Sequence, residues 1–433
     1  MSYSIVPLVA MPTQVTQPVP RPFARLSLRL LLGIALPAFI ASCGGDDHHD
    51  CFNCGPFPVT PAESSNGVVA ADFNADTFTD VVQLSTVRPA TSQNPSNLKT
   101  YLSSGPGTFA APTLTPDGNN PLYLATAELT GDGLKDLVTA SFDDGALRVF
   151  LNDKLSPGTF NTPLILNSPG ASQVAIADVN GDGMPDLVSA DYNVSLFVQT
   201  SPGSFAAPVT LYTGGANWVA VGDLNGDNAP DIALTDNVNV KVLMHTGAAS
   251  GTTYAAPVNV FTPTTNYNVS GSSIIAIADV NGDGLNDLIV TDPGPTGGKS
   301  PSVNVLLQNA ASHGTFLAPV SYPIATQDLP QSIVVTDLQG DGQLDIVIGG
   351  QQTVTVLLHD PANPGKFLAA KIYAAPGANE IAVADINGDG KPDIIVSNGV
   401  TFPQQDGVIT THPGVLIQSN TTPGTFGVLQ DLP

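Results

Sequence analysis

The sequence predicts an all-β fold, a seven-bladed β-propeller whose blades are four-stranded sheets. Three observations support this prediction: a short acidic motif recurs seven times, four apolar runs accompany each copy, and long helical periodicity is absent. The runs are rich in Val, Ile and Leu, as expected for short strands. Four strands in a repeat of roughly 40 to 50 residues are typical of a propeller blade. A closed ring hides most sheet edges, which an open β-solenoid, the alternative, would expose.

The first residues have the composition of an export signal and not of a folded unit. Three arginines within residues 21–29 precede an apolar run at 30–41, which is too short for a comfortable membrane span of about 20 residues. The sequence before Cys43 resembles a bacterial lipobox, so residues 1–42 are expected to be a lipoprotein signal segment. Cleavage there would leave a lipidated Cys43 as the amino terminus, and an ordinary signal peptide is the alternative.

Residues 43–64 are expected to be a tether that joins this anchor to a propeller at 65–433. Cys51 and Cys54 lie in the tether, and a disulfide between them is the simplest expectation in an oxidising compartment. A zinc site that includes two neighbouring histidines is a weaker alternative. The residue after the anchor cysteine is Gly44, which favours the outer membrane or cell surface as the predicted location.

The charge of the chain restricts its partners. It contains 37 Asp and Glu but only 13 Lys and Arg, and its formal net charge is −24. Such a chain repels nucleic acid and anionic membrane surfaces, so neither is an expected partner. Membrane contact is expected only through the lipid anchor at Cys43. Three acidic residues stand in each of the seven motifs, so much of the negative charge is concentrated there.

The motif that begins at Asp279 shows why the repeated loop is predicted to bind calcium. Asp279, Asn281, Asp283 and Asp287 place side-chain oxygens at positions 1, 3, 5 and 9. Calcium takes six to eight oxygen ligands, and a tightly curled loop directs alternate residues to one point. Intervening glycines allow the curl. An EF-hand is excluded because the flanking sequences read as strands and position 12 is Val290 instead of Glu.

The seven copies together predict a calcium-binding β-hairpin loop in every blade and up to seven calcium ions. The copies that begin at Asp178, Asp279 and Asp385 are complete, whereas the copy at Asp72 has lost both glycines and is expected to bind most loosely. The predicted metal ligands are Asp72, Asn74, Asp76, Asp80, Glu128, Thr130, Asp132, Asp136, Asp178, Asn180, Asp182, Asp186, Asp223, Asn225, Asp227, Asp231, Asp279, Asn281, Asp283, Asp287, Asp337, Gln339, Asp341, Asp345, Asp385, Asn387, Asp389 and Asp393.

The Asp-x-Asn-Gly-Asp-Gly-x-x-Asp loops, together with Val-Leu-Leu runs and Gly-Thr-Phe turns, resemble the FG-GAP/VCBS repeats. These repeats build the propeller of integrin α chains and of many bacterial surface proteins. The resemblance covers nearly the whole chain after the predicted signal. It implies that the metal loops are structural, that they share one face, and that ligands bind the opposite face. Such propellers serve adhesins, lectins and domains of carbohydrate-active enzymes, so the resemblance leaves the function open.

The leading hypothesis is a calcium-stabilised, surface-anchored, non-catalytic module that binds an extracellular protein or glycan. Aromatic side chains expected near the face opposite the metal loops are the candidate ligand contacts, although packing between blades is the alternative for each. They are Tyr123, Trp218, Tyr267 and Phe402. Rival hypotheses are a polysaccharide lyase or hydrolase with its site on that face, and a purely structural envelope component. No nucleophile, P-loop or zinc-protease motif is present.

Two histidines could suggest catalysis, but alignment of the repeats gives a simpler interpretation. His245 and His359 stand just after the third apolar run of their units. Other units have a polar amide there: Asn152, Gln199, Gln308 and Gln418. A turn-forming polar position explains all six residues, so neither histidine is predicted to be catalytic.

Overall fold

The computed structural model describes residues 62–88, 96–236, 238–246, 252–263, 273–294, 301–324, 328–397, 402–403, 409–410 and 412–432. Every regular element in these ranges is a β-strand, which confirms the all-β prediction. No helix in the described part of the chain is long and apolar enough to span a membrane. The predicted signal segment, Cys43, Cys51 and Cys54 lie outside the described residues, and the first strand begins at Ala62, earlier than the predicted boundary at 65.

The described residues contain 34 strands. The first three blades contain β1 (Ala62–Ala71), β2 (Asp80–Arg88), β3 (Asn97–Tyr101), β4 (Ser103–Gly105), β5 (Thr108–Phe109), β6 (Thr113–Pro116), β7 (Pro121–Ala127), β8 (Asp136–Ser141), β9 (Ala146–Phe150), β10 (Leu164–Asn167), β11 (Gln173–Ala177), β12 (Asp186–Ala190), β13 (Asn193–Phe197), β14 (Gln199–Ser201), β15 (Ser204–Phe205) and β16 (Val209–Thr213).

The other four blades contain β17 (Trp218–Gly222), β18 (Asp231–Thr235), β19 (Val240–Leu243), β20 (Val258–Phe261), β21 (Ile275–Ala278), β22 (Asp287–Asp292), β23 (Ser302–Leu306), β24 (Val320–Pro323), β25 (Pro330–Thr336), β26 (Asp345–Gly350), β27 (Thr353–Leu357), β28 (Lys371–Ala374), β29 (Ile381–Ala384), β30 (Asp393–Val396), β31 (Phe402–Pro403), β32 (Ile409–Thr410), β33 (Gly414–Leu416) and β34 (Gln430–Asp431).

These strands form seven four-stranded antiparallel sheets in the described part of the chain, which confirms the predicted propeller of seven blades. In every blade the order in the sheet follows the order in the chain: β1-β2-β3-β6, β7-β8-β9-β10, β11-β12-β13-β16, β17-β18-β19-β20, β21-β22-β23-β24, β25-β26-β27-β28 and β29-β30-β33-β34. The remaining strands form short hairpins within connections: β4-β5, β14-β15 and β31-β32.

Burial explains the composition of the strands. Second strands such as β12 and β18 are buried along their whole length, because neighbouring blades cover both faces of the sheet. They therefore read as near-continuous apolar runs. Fourth strands such as β16 are mostly exposed and form the outer rim. The core consists of seven apolar clusters within the described residues, and each lies between two neighbouring blades.

The ring closes without exchanging a strand between the two ends of the chain. The first strand of each blade lies beside the first strand of the next, and β29 of blade 7 lies beside β1 of blade 1. The side-chain amide of Gln83 in blade 1 donates to the carbonyl oxygen of Ser397 at 2.6 Å. The apolar cluster at this junction consists of Val68, Val81, Tyr101, Ile386, Ile395 and Leu432. Closure therefore depends on packing between blades 7 and 1.

Candidate metal centres and the opposite face

Each acidic motif is the connection between the first and second strands of its blade. In blade 3, β11 ends at Ala177 and β12 begins at Asp186, and these two residues are paired across the hairpin. The motif from position 1 to position 9 is called the acidic loop below. Since the same connection carries it in every described blade, the acidic loops lie on one face of the ring. The four predicted ligands of each blade are thereby brought into one loop.

The position-1 side chain holds the curl of the loop. In blade 3, Asp178 Oδ1 accepts hydrogen bonds from the backbone N–H groups of Gly181 (2.7 Å) and Asp182 (3.1 Å), and Oδ2 accepts one from Gly183 (2.8 Å). Asn180 Oδ1 accepts the backbone N–H of Asp182, and its amide donates to Asp182 Oδ2 at 3.0 Å. Blade 5 repeats all of these bonds. The side chains at positions 1, 3 and 5 therefore share one small turn.

The acidic loops differ in the backbone strain of their turns. Gly181 and Gly183 have φ values of 72° and 86° in blade 3. Blade 1 makes the same turn with Ala75 and Thr77, at φ values of 62° and 76°. Positive φ is strained for a β-branched residue, whereas Asn228 of blade 4 tolerates its φ of 63° because Asn visits this region readily. The loop of blade 1 is thus the most strained of the three.

The position-9 aspartate has a role that the sequence analysis missed. In blade 5, Asp287 is fully buried, and its two oxygens accept the backbone N–H groups of Val280 (3.1 Å) and Gln308 (2.7 Å). It therefore ties the loop to the end of the third strand. The same two bonds occur in each described blade, made by Asp80, Asp136, Asp186, Asp231, Asp287, Asp345 and Asp393. The polar residue that recurs after the third apolar run of each repeat was the sequence signal for this contact.

Burial raises the pKa of each position-9 carboxyl group. The pKa rises to about 6 for Asp80, Asp136, Asp231 and Asp287, and it is raised for the other three as well. Burial is the largest cause of the shift. In blade 5 the two backbone hydrogen bonds lower the pKa of Asp287, and the carboxylates at positions 5 and 1 raise it. The three carboxylates of a loop are therefore close enough to repel one another.

In calcium-free buffer we expect the chain to be more stable at about pH 5 than at about pH 7.5. A carboxyl group whose pKa is raised by folding binds more protons in the folded chain than in the unfolded chain, where its pKa is about 3.9. Stability therefore falls as the pH rises from about 4 to above 6. Thermal melts at both pH values test this, and a higher melting temperature at the higher pH would contradict it.

The chemistry of the loops fits calcium in kind. Each acidic loop of blades 3, 5 and 7 offers three carboxylates and one amide within nine residues. Such hard oxygen ligands suit calcium. Arg148 and Lys241 form ion pairs with Asp117, Asp144 and Asp236, which lie outside the acidic loops. However, no group of three or more His, Cys, Asp and Glu side chains among the described residues is a preformed metal centre. Calcium binding therefore stays a prediction.

Each acidic loop is also packed against the next blade. Phe73, at position 2 in blade 1, makes an edge-to-face contact with Phe160 of blade 2, with ring centroids 5.9 Å apart. At the closing junction, Ile386 of blade 7 shares a cluster with Phe109 of blade 1, and its carbonyl oxygen accepts the N–H of Gly107 at 2.9 Å. The aromatic in both cases belongs to a Gly-Thr-Phe turn. A loop that loses its curled conformation would therefore also weaken the packing between its blade and the next.

Two of the candidate ligand aromatics lie inside the ring. Tyr123 on β7 and Trp218 on β17 contact each other edge-on, with ring centroids 5.4 Å apart, although they belong to blades 2 and 4. Trp218 is 7% exposed, and its indole N–H donates to the carbonyl oxygen of Ile275 at 3.1 Å. They are therefore not the exposed loop aromatics that the sequence suggested, because first strands converge near the centre. Tyr267 lies outside the described residues, and only the backbone of Phe402 is described, in β31.

An aromatic pair with one exposed ring does occur on the face opposite the acidic loops. Phe142 and Tyr192 follow the second strands of blades 2 and 3, and their ring centroids are 6.2 Å apart. Tyr192 is 61% exposed. Gly170 lies under its ring, since a Cβ atom built there would be 3.1 Å from three ring atoms. This pair was not predicted from the sequence, although an aromatic residue after the second strand in two successive repeats was a usable signal.

The fold and the acidic hairpin loops define a class of protein, a repeat propeller with candidate metal loops on one face. Residues 128–189, 178–234, 223–290, 279–348 and 337–396 each match the FG-GAP-like repeat family. These matches span more than half of the chain, and the chain therefore belongs to the FG-GAP-like repeat family. The resemblance seen in the sequence is confirmed. No curated protein matches the chain.

Three solved structures match the chain at low sequence identity. The V. cholerae biofilm matrix protein Bap1 is 12% identical, with a TM-score of 0.42 over 82% of this chain and 87% of that chain. BBS1N in complex with ARL6DN is 11% identical, with a TM-score of 0.48 over 80% of this chain and 91% of that chain. The Photorhabdus luminescens Tc holotoxin pore is 17% identical, with a TM-score of 0.37 over 81% and 18%. Nothing about function follows from these likenesses.

Proposed function

We propose that this chain is a non-catalytic binding module, exported and held at the cell surface by a lipid on Cys43. Its acidic loops bind calcium and stabilise the ring, and its opposite face binds an extracellular glycan or protein. The observation that carries the binding role is the exposed ring of Tyr192, held in place by Phe142 and Gly170. A rigid aromatic with one free face binds at little entropic cost.

The surroundings of Tyr192 favour a glycan over a protein. Asp143 directly follows Phe142 and is exposed. A sugar ring can stack its C–H groups on an aromatic face while a hydroxyl group donates to a neighbouring carboxylate. Binding pockets commonly combine such an apolar surface with a few placed polar groups. A protein ligand is the alternative that the experiment below distinguishes.

The rival hypothesis of a lyase or hydrolase needs ionisable groups that converge on the same face. Asp117 and Asp144 do lie there, but Arg148 contacts both, with Nη2 2.5 Å from Asp144 Oδ2 and Nε 3.9 Å from Asp117 Oδ1. Asp144 also accepts the backbone and side-chain N–H groups of Asn119. These contacts join the loops of blade 2, so we interpret the group as structural and not catalytic.

The binding role is tested by screening the full chain against a glycan array and in pull-downs with extracellular protein, both in calcium. We expect glycan binding that falls at least about tenfold in Tyr192→Ala, which corresponds to about 1.4 kcal/mol. Leu155→Ala is the matched control, since Leu155 is 92% exposed on the acidic-loop face. Glycan binding that Tyr192→Ala leaves intact would contradict the site. Cleaved glycan would support the enzyme, and no binding of any kind would support a structural role.

A further inference from the structure

The acidic loop of blade 6 differs from those of blades 2, 3, 5 and 7 in one side chain, which belongs to the second residue after the third strand. The backbone N–H of this residue donates to the position-9 aspartate in each described blade, which supports the alignment of His245 and His359 with the amides. In four blades the side-chain amide turns to a main-chain carbonyl at 2.6 to 2.9 Å: Asn152 to Phe73, Gln199 to Leu129, Gln308 to Asn286 and Gln418 to Pro392. The N–H groups of these side-chain amides thus donate to the main chain and not to the carboxylates of the acidic loops.

His359 instead points between two carboxylates of its own loop. Its Nδ1 lies 3.1 Å from Asp345 Oδ1, and its Nε2 lies 3.3 Å from Asp341 Oδ2. Only 8% of the side chain is exposed. The ring therefore joins position 5 to position 9, the two positions between which a bound cation would have to lie. A ring N–H that donates to a carboxylate oxygen also occupies a lone pair that the cation would use.

His313 offers a contrast, because it also lies beside an acidic loop. Its Nδ1 is 3.0 Å from the carbonyl oxygen of Asn225 in blade 4. It thus contacts the main chain of that loop, and none of its described contacts is with a loop carboxylate. A histidine near an acidic loop does not by itself fill the space between the carboxylates, so the arrangement in blade 6 is a property of position 359.

We propose that His359 closes the acidic loop of blade 6 in place of calcium, so that this loop binds no ion in the native chain. The proposal rests on the proposed calcium binding of the other loops. The imidazole ring donates its N–H to one of the two carboxylates, Asp341 or Asp345, and the ring itself occupies the space between them that a cation fills in the other loops. The sixth blade is then independent of calcium, and the number of bound ions is lower than the number of acidic loops.

The test counts calcium ions bound to the full chain, by equilibrium dialysis and native mass spectrometry at about 2 mM calcium, above the Kd of about 10⁻⁴–10⁻³ M expected for extracellular sites. We expect His359→Gln, which introduces the residue that blades 3, 5 and 7 have at this position, to bind one ion more than the wild type. His313→Gln is the matched control and is expected to bind the wild-type number. An unchanged count in His359→Gln, with several ions on the wild type, overturns the proposal and leaves calcium binding intact.

A second pair of variants keeps the test decisive if His359→Gln fails to fold. Asp341 and Asp283 occupy position 5 in blades 6 and 5. We expect Asp283→Asn to lose one ion and Asp341→Asn to lose none. Loss of an ion from Asp341→Asn as well would overturn the proposal. A wild-type chain that binds no calcium would overturn the proposed calcium function itself, and the inference with it.

Discussion

Removal of calcium with a chelator is expected to lower the melting temperature of the chain by at least about 10 °C. Without a cation, the carboxylates at positions 1, 5 and 9 of a loop repel one another across a turn that also packs against the next blade. A site with a Kd of about 10⁻⁴ M adds about 2 kcal/mol to stability when free calcium is about twenty-fold higher. A few such sites account for the expected shift. Thermal melts with calcium and with chelator measure it.

Magnesium provides the control for this experiment. It requires a stricter octahedral arrangement than calcium, so the same concentration of magnesium is expected to restore little of the lost stability. Restoration by calcium alone would show that the effect is specific and not a general screening of negative charge. An identical melting temperature with calcium and with chelator would contradict a stabilising role for calcium.

The substitution Asp287→Asn is expected to destabilise the chain by about 3 kcal/mol, even without calcium. Asp287 is fully buried and accepts two backbone hydrogen bonds, from Val280 and Gln308. An amide can accept only one of them with its oxygen, and its NH₂ group faces the other N–H donor. A buried donor is left unsatisfied, and the tie between the loop and the third strand is lost. Denaturant unfolding in chelator measures the change.

Asp283→Asn separates this structural role from metal binding. Asp283 stands in the same loop but is exposed. In chelator it is expected to change stability by less than about 0.5 kcal/mol, as surface substitutions usually do. With calcium present it is expected to lose part of the calcium-dependent stability. Equal effects of the two variants in chelator would contradict the assignment of a special role to position 9.

The fold could be predicted from the sequence because its information is local and repeated. Each blade carries its own turn residues and its own apolar runs, so the number of blades equals the number of acidic motifs. The closing junction could not be predicted in this way. It depends on contacts such as that of Gln83 with Ser397, which lie in the first and the last repeat and are far apart in the chain. The sequence pattern alone does not define which ends of the array meet.

The candidate sites were predicted less completely, for two physical reasons. Spacing alone predicted Asp287 to be a metal ligand, but its burial and its hydrogen bond to Gln308 depend on a strand that is distant in sequence. Tyr123 and Trp218 occupy a position near the centre of the ring, where burial is set by the convergence of first strands. Loop aromatics such as Tyr192 stay exposed because connections between second and third strands lie at the surface.

Anomalous difference density from crystals of the full chain grown in calcium tests the central claim most directly. The expected result is a peak within about 2.3–2.6 Å of the oxygens at positions 1, 3, 5 and 9 in the complete loops of blades 3, 5 and 7. No peak is expected between Asp341 and Asp345 of blade 6. Crystals that show no peak at any acidic loop, in spite of calcium well above the expected Kd, would contradict the account.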